Sequence, residues 1–142
     1  MRHSVCVFLL VALPALADHK AVVPAEFAGA TANFSPGILA DGTLYISGQI
    51  GQDLKTKQVP AEFETEVKTC FDNIGLILKA AGMSYKDVVS VQVYLTDMSL
   101  FQRMNAVYTK VLPDPRPART TVGVSKLASD AAHIEITVTA RK

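Results

Sequence analysis

The chain has few of the residues that staple or metallate small proteins. Two cysteines, Cys6 and Cys70, cannot make a disulfide framework. Beyond His3, only His19 and His133 remain among the histidines, and neither has a cysteine or acid at ligand spacing, so no metal site is expected. Long apolar runs are also lacking. The best, from Val5 to Leu13, is far short of the roughly 20 residues that a spanning helix needs. Lys and Arg form no run or stripe, which argues against nucleic-acid binding, because phosphate contacts need clustered basic side chains. Repeats, low-complexity tracts and long linkers are absent. What is present is 142 residues, 49% of them hydrophobic, enough for one domain with a single unstapled core.

The N-terminus reads as an export signal. Arg2 and His3 give a basic start, residues 5–13 an apolar stretch, and Pro14 with the small-x-small triplet Ala15-Leu16-Ala17 a cleavage site before Asp18. Cys6 lacks the small-residue context of a lipoprotein site. The expectation is a signal peptide over 1–17 and one domain over 18–142, periplasmic or secreted, with no membrane association after cleavage. Removing 1–17 takes away Arg2 and no acid, so Lys+Arg falls from 14 to 13 against 13 Asp+Glu and the processed chain is formally neutral.

Periodicity places the elements. Residues 43–50 alternate as a half-buried strand, with Leu44, Ile46 and Ile50 on one side and Tyr45, Ser47 and Gln49 on the other, entered through an Asp41-Gly42 turn. Residues 30–34 and 38–40 look like short extended pieces around Ser35-Pro36-Gly37. Helical spacing runs through 61–81, from Pro60 to Gly82, with Cys70 as a buried thiol in the apolar stripe. Residues 86–95 form a strand with Val89, Val91, Val93 and Leu95 on one face. A second helix, 99–112, is capped by Asp97 or Ser99 and stopped by Pro113, and strands at 118–125 and 133–141 follow. The order βββαβαββ predicts an α+β domain: a mixed sheet with two helices packed on one face and the other face looking outward.

Two polar residues stand out from this pattern. Asn105 falls inside the helical stripe of Phe101, Met104, Tyr108 and Leu112, where an amide must find partners, whether to hold a loop or to line a site. Arg119 lies on the strand alternation opposite Ala118, Thr120 and Val122. If the aliphatic sides meet the helices, Arg119 and Glu135 share the outward face, enclosed only in an oligomer. A lone strand arginine is otherwise an exposed charge worth little. Lys55 and Lys57 read as a solvated loop and His133 as a solvent-facing strand residue.

Residues 117–136, PARTTVGVSKLASDAAHIEI, resemble the C-terminal signature of the RidA/YjgF family, in which an arginine follows Pro-Ala and a glutamate flanked by aliphatics closes the motif. Ser-Gly-Gln at 47–49, Val-Pro at 59–60, Asp-Asn-Ile at 72–74, Ala-Ala-Gly at 80–82 and the motifs within 94–108 match in register, so the resemblance covers nearly all of the chain after Phe34. It implies a chorismate-mutase-like α+β domain assembled as a homotrimer, with ligand clefts between subunits. It also implies hydrolysis of reactive 2-imino acids and their enamine tautomers, such as 2-aminoacrylate, to 2-keto acids and ammonia, without a cofactor.

Carried onto this chain, the resemblance makes Arg119 a bidentate clamp for the substrate carboxylate and Glu135 the group that holds the attacking water and moves its proton. Asn105 would steady the cleft or the arginine, and a backbone carbonyl near Thr120 or Thr121 would share the water. Ser47 and Gly48 would either touch substrate or form a tight strand edge at the subunit junction. The chain departs from the family at two places: Phe34 stands where a cleft-covering tyrosine is usual, and Thr121 where a cysteine is frequent. The competing function is a non-catalytic trimeric binder of small carboxylates or keto acids. A ribonuclease reading fits poorly with a neutral chain lacking a basic stripe.

Overall fold

The computed structural model describes residues 18–29 and 33–142. The expected signal peptide, 1–17, and residues 30–32 of the first expected extended piece lie outside the described residues. Eight main elements follow in order: β1 (His19–Val22), β2 (Gly37–Ala40), β3 (Thr43–Ile50), α1 (Phe63–Ala80), β4 (Val88–Leu95), α2 (Phe101–Val111), β5 (Ala118–Gly123) and β6 (Ile134–Arg141). The order is βββαβαββ, but the first strand is His19–Val22 rather than a piece at 30–34. Asn33 and Phe34 lie in a bend.

The strands make one mixed sheet, β1-β2-β3-β6-β4-β5. Every pairing is antiparallel except β4 with β5, which are joined through α2 and run parallel. The β2–β3 hairpin turns at Asp41 and Gly42, both at positive φ (47° and 74°), the pair of values that a two-residue primed turn requires. Helix α1 ends at Ala80, and Gly82, two residues on, reverses the chain with a φ of 70°. Before α2, the Asp97 side chain accepts from Ser99 N at 2.8 Å and caps the 3-10 turn Met98–Leu100 that leads into the helix.

Both helices cover one face of the sheet. Leu44, Ile46, Val91, Val93, Ile134, Ile136 and Val138 meet Val67, Cys70, Phe71, Ile74, Ile77, Met104 and Tyr108 in a single core. Each fully buried aliphatic side chain there contributes about 1.5–3 kcal/mol of transfer free energy. Cys70 is in that core, where burial pushes its thiol pKa well up.

Two bulges change the expected faces. In β3 the register skips between Ile46 and Gln49, so Ser47 and Gly48 together oppose one residue of β6. The extra residue reverses the alternation beyond it. Gln49, expected outward, is buried, and Ile50, expected in the core, lines an open cleft. In β4 the skip between Val88 and Ser90 buries Val88 and leaves Val89 exposed, where alternation alone put Val89 inside.

Candidate functional site

Glu135 sits on β6 between the buried Ile134 and Ile136, so its side chain is on the open face of the sheet. Beside it is the β3 bulge. A Cβ built on Gly48 would come within 1.8 Å of the Glu135 Oε1, so only glycine leaves room for this carboxylate. Ser47 is anchored to Pro36 O by its amide (3.0 Å) and hydroxyl (3.1 Å), and Gln49 Nε2 donates back to the Ser47 carbonyl (3.1 Å) and Oγ (3.2 Å). These bonds satisfy the polar groups that the bulge frees from the ladder. The result is a cleft of about 500 Å³ lined by Phe34, Ser47, Gly48, Ile50, Gln52, Ala128, Ser129 and Glu135. Among the described residues the Glu135 carboxylate has neither a hydrogen-bond partner nor an ion pair.

Glu66 does not stand out in the sequence, yet among the described residues it is the most buried charged group, with no exposed surface. Its carboxylate accepts from His133 N (2.7 Å) and Ile134 N (3.3 Å), and lies 2.9 Å from His133 Nδ1. His133 faces solvent as expected, with 53% of its side chain exposed, but its amide and ring nitrogen also hold the buried Glu66 carboxylate. On the other side Gly51 packs against Glu66 so closely that a Cβ would lie 2.2 Å from the Glu66 carbonyl oxygen. Asn73, also buried on α1, donates to Ile50 O (3.3 Å) and Gln52 O (3.0 Å). These two side chains tie α1 to the ends of β3 and β6 that carry the cleft, and so fix where Glu135 stands.

Arg119 is placed differently from expectation. In the β4–β5 register it is level with the buried Val91, on the helix side of the sheet, and its Nη1 donates to Asn105 Oδ1 at 2.8 Å. Its guanidinium lies 4.5 Å from the centroid of the Tyr108 ring and 5.5 Å from that of Phe101. Cation–π attraction and one charge-assisted bond hold the fork flat against α2. It follows that Arg119 and Glu135 are on opposite faces. The reason is that β5 is an edge strand: its aliphatic residue Val122 is level with Tyr94 on the open face and is 40% exposed, so aliphatic alternation misreports which side is covered.

The recess around Arg119, about 340 Å³, is lined by Asn105, Tyr108, Thr109, Arg116, Pro117 and Arg119. Thr121, on the same face as Arg119, and Tyr108 each hold a buried hydroxyl without a partner among the described residues. Burial pushes the Tyr108 pKa up, and the positive charges of Arg119 and Arg116 oppose that rise. Thr120 is level with Gln92 on the open face.

The structure thus gathers the expected site residues into two groups. Ser47, Gly48, Phe34 and Glu135 share the cleft; Asn105 and Arg119 share the recess, with Thr121 on the same side. Strand β4 lies between β5 and β6, with Arg119 level with Val91 and Glu135 level with Tyr94. Two strand spacings across and three residues along put their Cα atoms roughly 14 Å apart. One small substrate cannot touch both within a single chain.

Similarity to known proteins agrees with this fold. The family model described as endoribonuclease L-PSP matches residues 25–142. A RutC family protein of Sulfurisphaera tokodaii is 43% identical over 110 residues, 77% of this chain and 87% of the relative. The 2-iminobutanoate/2-iminopropanoate deaminase of Bos taurus is 38% identical over 109 residues, 76% of this chain and 80% of the bovine protein. Among solved structures, RidA from the Antarctic bacterium Psychrobacter sp. PAMC 21119 superposes with a TM-score of 0.80 at 34% identity, covering 87% of this chain and all of that one. The chain belongs to the RidA/YjgF family, and its sheet and helices form the chorismate-mutase-like α+β fold of that family. At the family level these relatives support imine deaminase chemistry.

Proposed function

We propose that the protein hydrolyses reactive 2-imino acids and their enamine tautomers to 2-keto acids and ammonia, as a homotrimer whose clefts join Arg119 of one protomer to Glu135 of the partner subunit. The observation that carries this reading is the division of the site. A cation clamp and an unpartnered carboxylate stand on one chain, about 14 Å apart and on opposite faces, each half complete in itself and neither sufficient. A second copy supplies the missing half. The open face also favours assembly, since it exposes Tyr45 and Val122.

Chemically, the planar fork of Arg119 pairs with the substrate carboxylate, with Asn105 holding the fork in plane. Glu135 accepts a proton from water as the water oxygen bonds to the imine carbon, and the nitrogen takes up a proton from solvent, giving a carbinolamine. The protonated Glu135 then returns its proton to nitrogen; as the C–N bond breaks and the C=O bond forms, Glu135 takes the hydroxyl proton and releases it to solvent, and ammonia leaves. No oxidant or cofactor enters this balance. Much of the acceleration comes from holding a good electrophile beside an oriented water.

The test is imine loss by the purified protein, with 2-imino acids generated in situ by an amino-acid oxidase and the remainder trapped by semicarbazide. Faster loss with ammonia release, abolished in Arg119→Ala, is expected. A binder of small carboxylates without turnover is the second reading, favoured by Phe34, which lines the Glu135 cleft without a tyrosine's hydroxyl. Ligand protection in a thermal melt with no ammonia release establishes that reading instead. Export to the periplasm or medium belongs to the same proposal. The leader pattern of 1–17 ends next to the first described strand, which begins at His19, so cleavage before Asp18 removes none of the described elements.

A further inference from the structure

The recess around Arg119 holds more positive charge than a single carboxylate needs. Two of its six lining residues are arginines, and none is acidic. Over the whole chain Lys+Arg and Asp+Glu nearly balance, 14 against 13, so two arginines without an acid in one recess are a local excess. Among the described residues the one counterion of Arg116 is Asp114, two residues earlier and outside the recess, at 2.7 Å. That pair is a surface one, with 74% of the aspartate side chain exposed, and such pairs hold weakly and exchange readily.

Few donors of the recess are open to a second anionic group. The Tyr108 hydroxyl is buried without exposed surface, beyond a ligand's reach. The Thr109 hydroxyl is committed to Asn105 O at 3.0 Å, and the Asn105 amide nitrogen donates to Gln102 Oε1 at 3.5 Å. Arg116 is therefore the charged donor left for a ligand once Arg119 has taken the first carboxylate. Arg116 is three residues before Arg119, so their Cα atoms are at most roughly 10 Å apart, a separation their long side chains close across one recess.

We propose that the protein selects dicarboxylic 2-imino acids, those derived from glutamate and aspartate, with the α-carboxylate on Arg119 and the side-chain carboxylate on Arg116. This rests on the deaminase reading for its turnover, but the diacid preference is also a binding property. Two guanidinium groups facing one recess give a dianion a second charge-assisted contact that a monoanion cannot make. The reaction that supplies such a substrate is the oxidation of an acidic amino acid at its α-carbon, and its product is a 2-keto diacid.

The experiment compares imines made by oxidase action on glutamate and on leucine, using the purified protein and its Arg116→Gln and Arg116→Lys variants. The wild type should favour the glutamate-derived imine in kcat/KM by about tenfold or more, Arg116→Gln should collapse that ratio toward unity, and Arg116→Lys should restore part of it. A ratio unaffected by Arg116→Gln, or a wild-type preference for the leucine-derived imine, overturns the proposal while leaving the deaminase reading intact. If neither imine is hydrolysed, it is the deaminase reading that fails, and calorimetric titration with 2-oxoglutarate and 4-methyl-2-oxopentanoate then decides. Tighter binding of the diacid that Arg116→Gln removes supports the recess as assigned, and equal affinities overturn it.

Discussion

The Arg119 recess and the Glu135 cleft are built on opposite plans. Arg119 is held by an amide oxygen and two aromatic rings on α2, so its fork is oriented before any ligand arrives. Glu135 has no partner among the described residues. It is positioned instead by what surrounds it: a glycine that must lack a Cβ, a bulge pinned by Ser47, and a buried Glu66 clasping the start of β6. A group that binds is best fixed by direct contacts, while one that moves protons needs its lone pairs free and its backbone fixed. The two plans suit the division of labour between clamp and base.

The largest effects should come from separating the two roles. Glu135→Gln should lower kcat by about 10²–10⁴-fold while the affinity for a keto acid changes little, whereas Arg119→Ala should lose that affinity. Steady-state kinetics with keto-acid titration checks this, and equal loss of binding in both variants breaks the distinction. Next in size, Gly48→Ala drives a methyl group into the Glu135 carboxylate. It should cost about tenfold or more in kcat/KM with an unchanged far-UV spectrum and keto-acid affinity. Glu66→Ala tests the scaffold beneath the cleft. It strands two backbone amides and an imidazole, and should destabilise the protein by about 3 kcal/mol in urea unfolding.

The smallest effect belongs to the exposed Arg103–Glu64 pair, which links α2 to α1 and lines neither half-site. The Arg103 guanidinium, bonded at 2.7 and 2.6 Å, holds the Glu64 pKa down from 4.5 to about 2. A depressed carboxylate stabilises the folded state above its unfolded pKa and loses that contribution as pH falls through its folded one. Arg103→Ala should therefore lower Tm slightly at neutral pH, less so in high salt, and the gap to wild type should close as pH falls toward 2. A gap that persists in acid contradicts the assignment.

Much of the fold was legible because the apolar period is strong where elements are long. Strand 43–50 and the body of both helices follow directly from it, and Asp41-Gly42 and Gly82 mark their turns by the positive φ they adopt. Strand β1 was missed because it is a four-residue edge strand with only Val22 buried, which leaves no alternation to read. The bulges were missed because one inserted residue reverses every face beyond it, although Gly48 within a strand was the available cue. For the site, the motif residues were identified but their grouping was not, since the face of an edge strand depends on what α2 covers. Glu66 and Asn73 were overlooked on the α1 stripe that also carries Phe63, Val67, Cys70 and Ile74, although the reasoning that flagged Asn105 applied equally to them.

A site shared between protomers is tested directly by mixed assemblies. Arg119→Ala and Glu135→Gln should each be inactive alone. When the two are unfolded together and refolded as a mixture, an intact Arg119 from one protomer meets an intact Glu135 from another at up to about a quarter of the interfaces, so imine hydrolysis should return. A mixture that refolds into trimers and stays as inactive as its parents would place both residues in one chain's site and contradict the account.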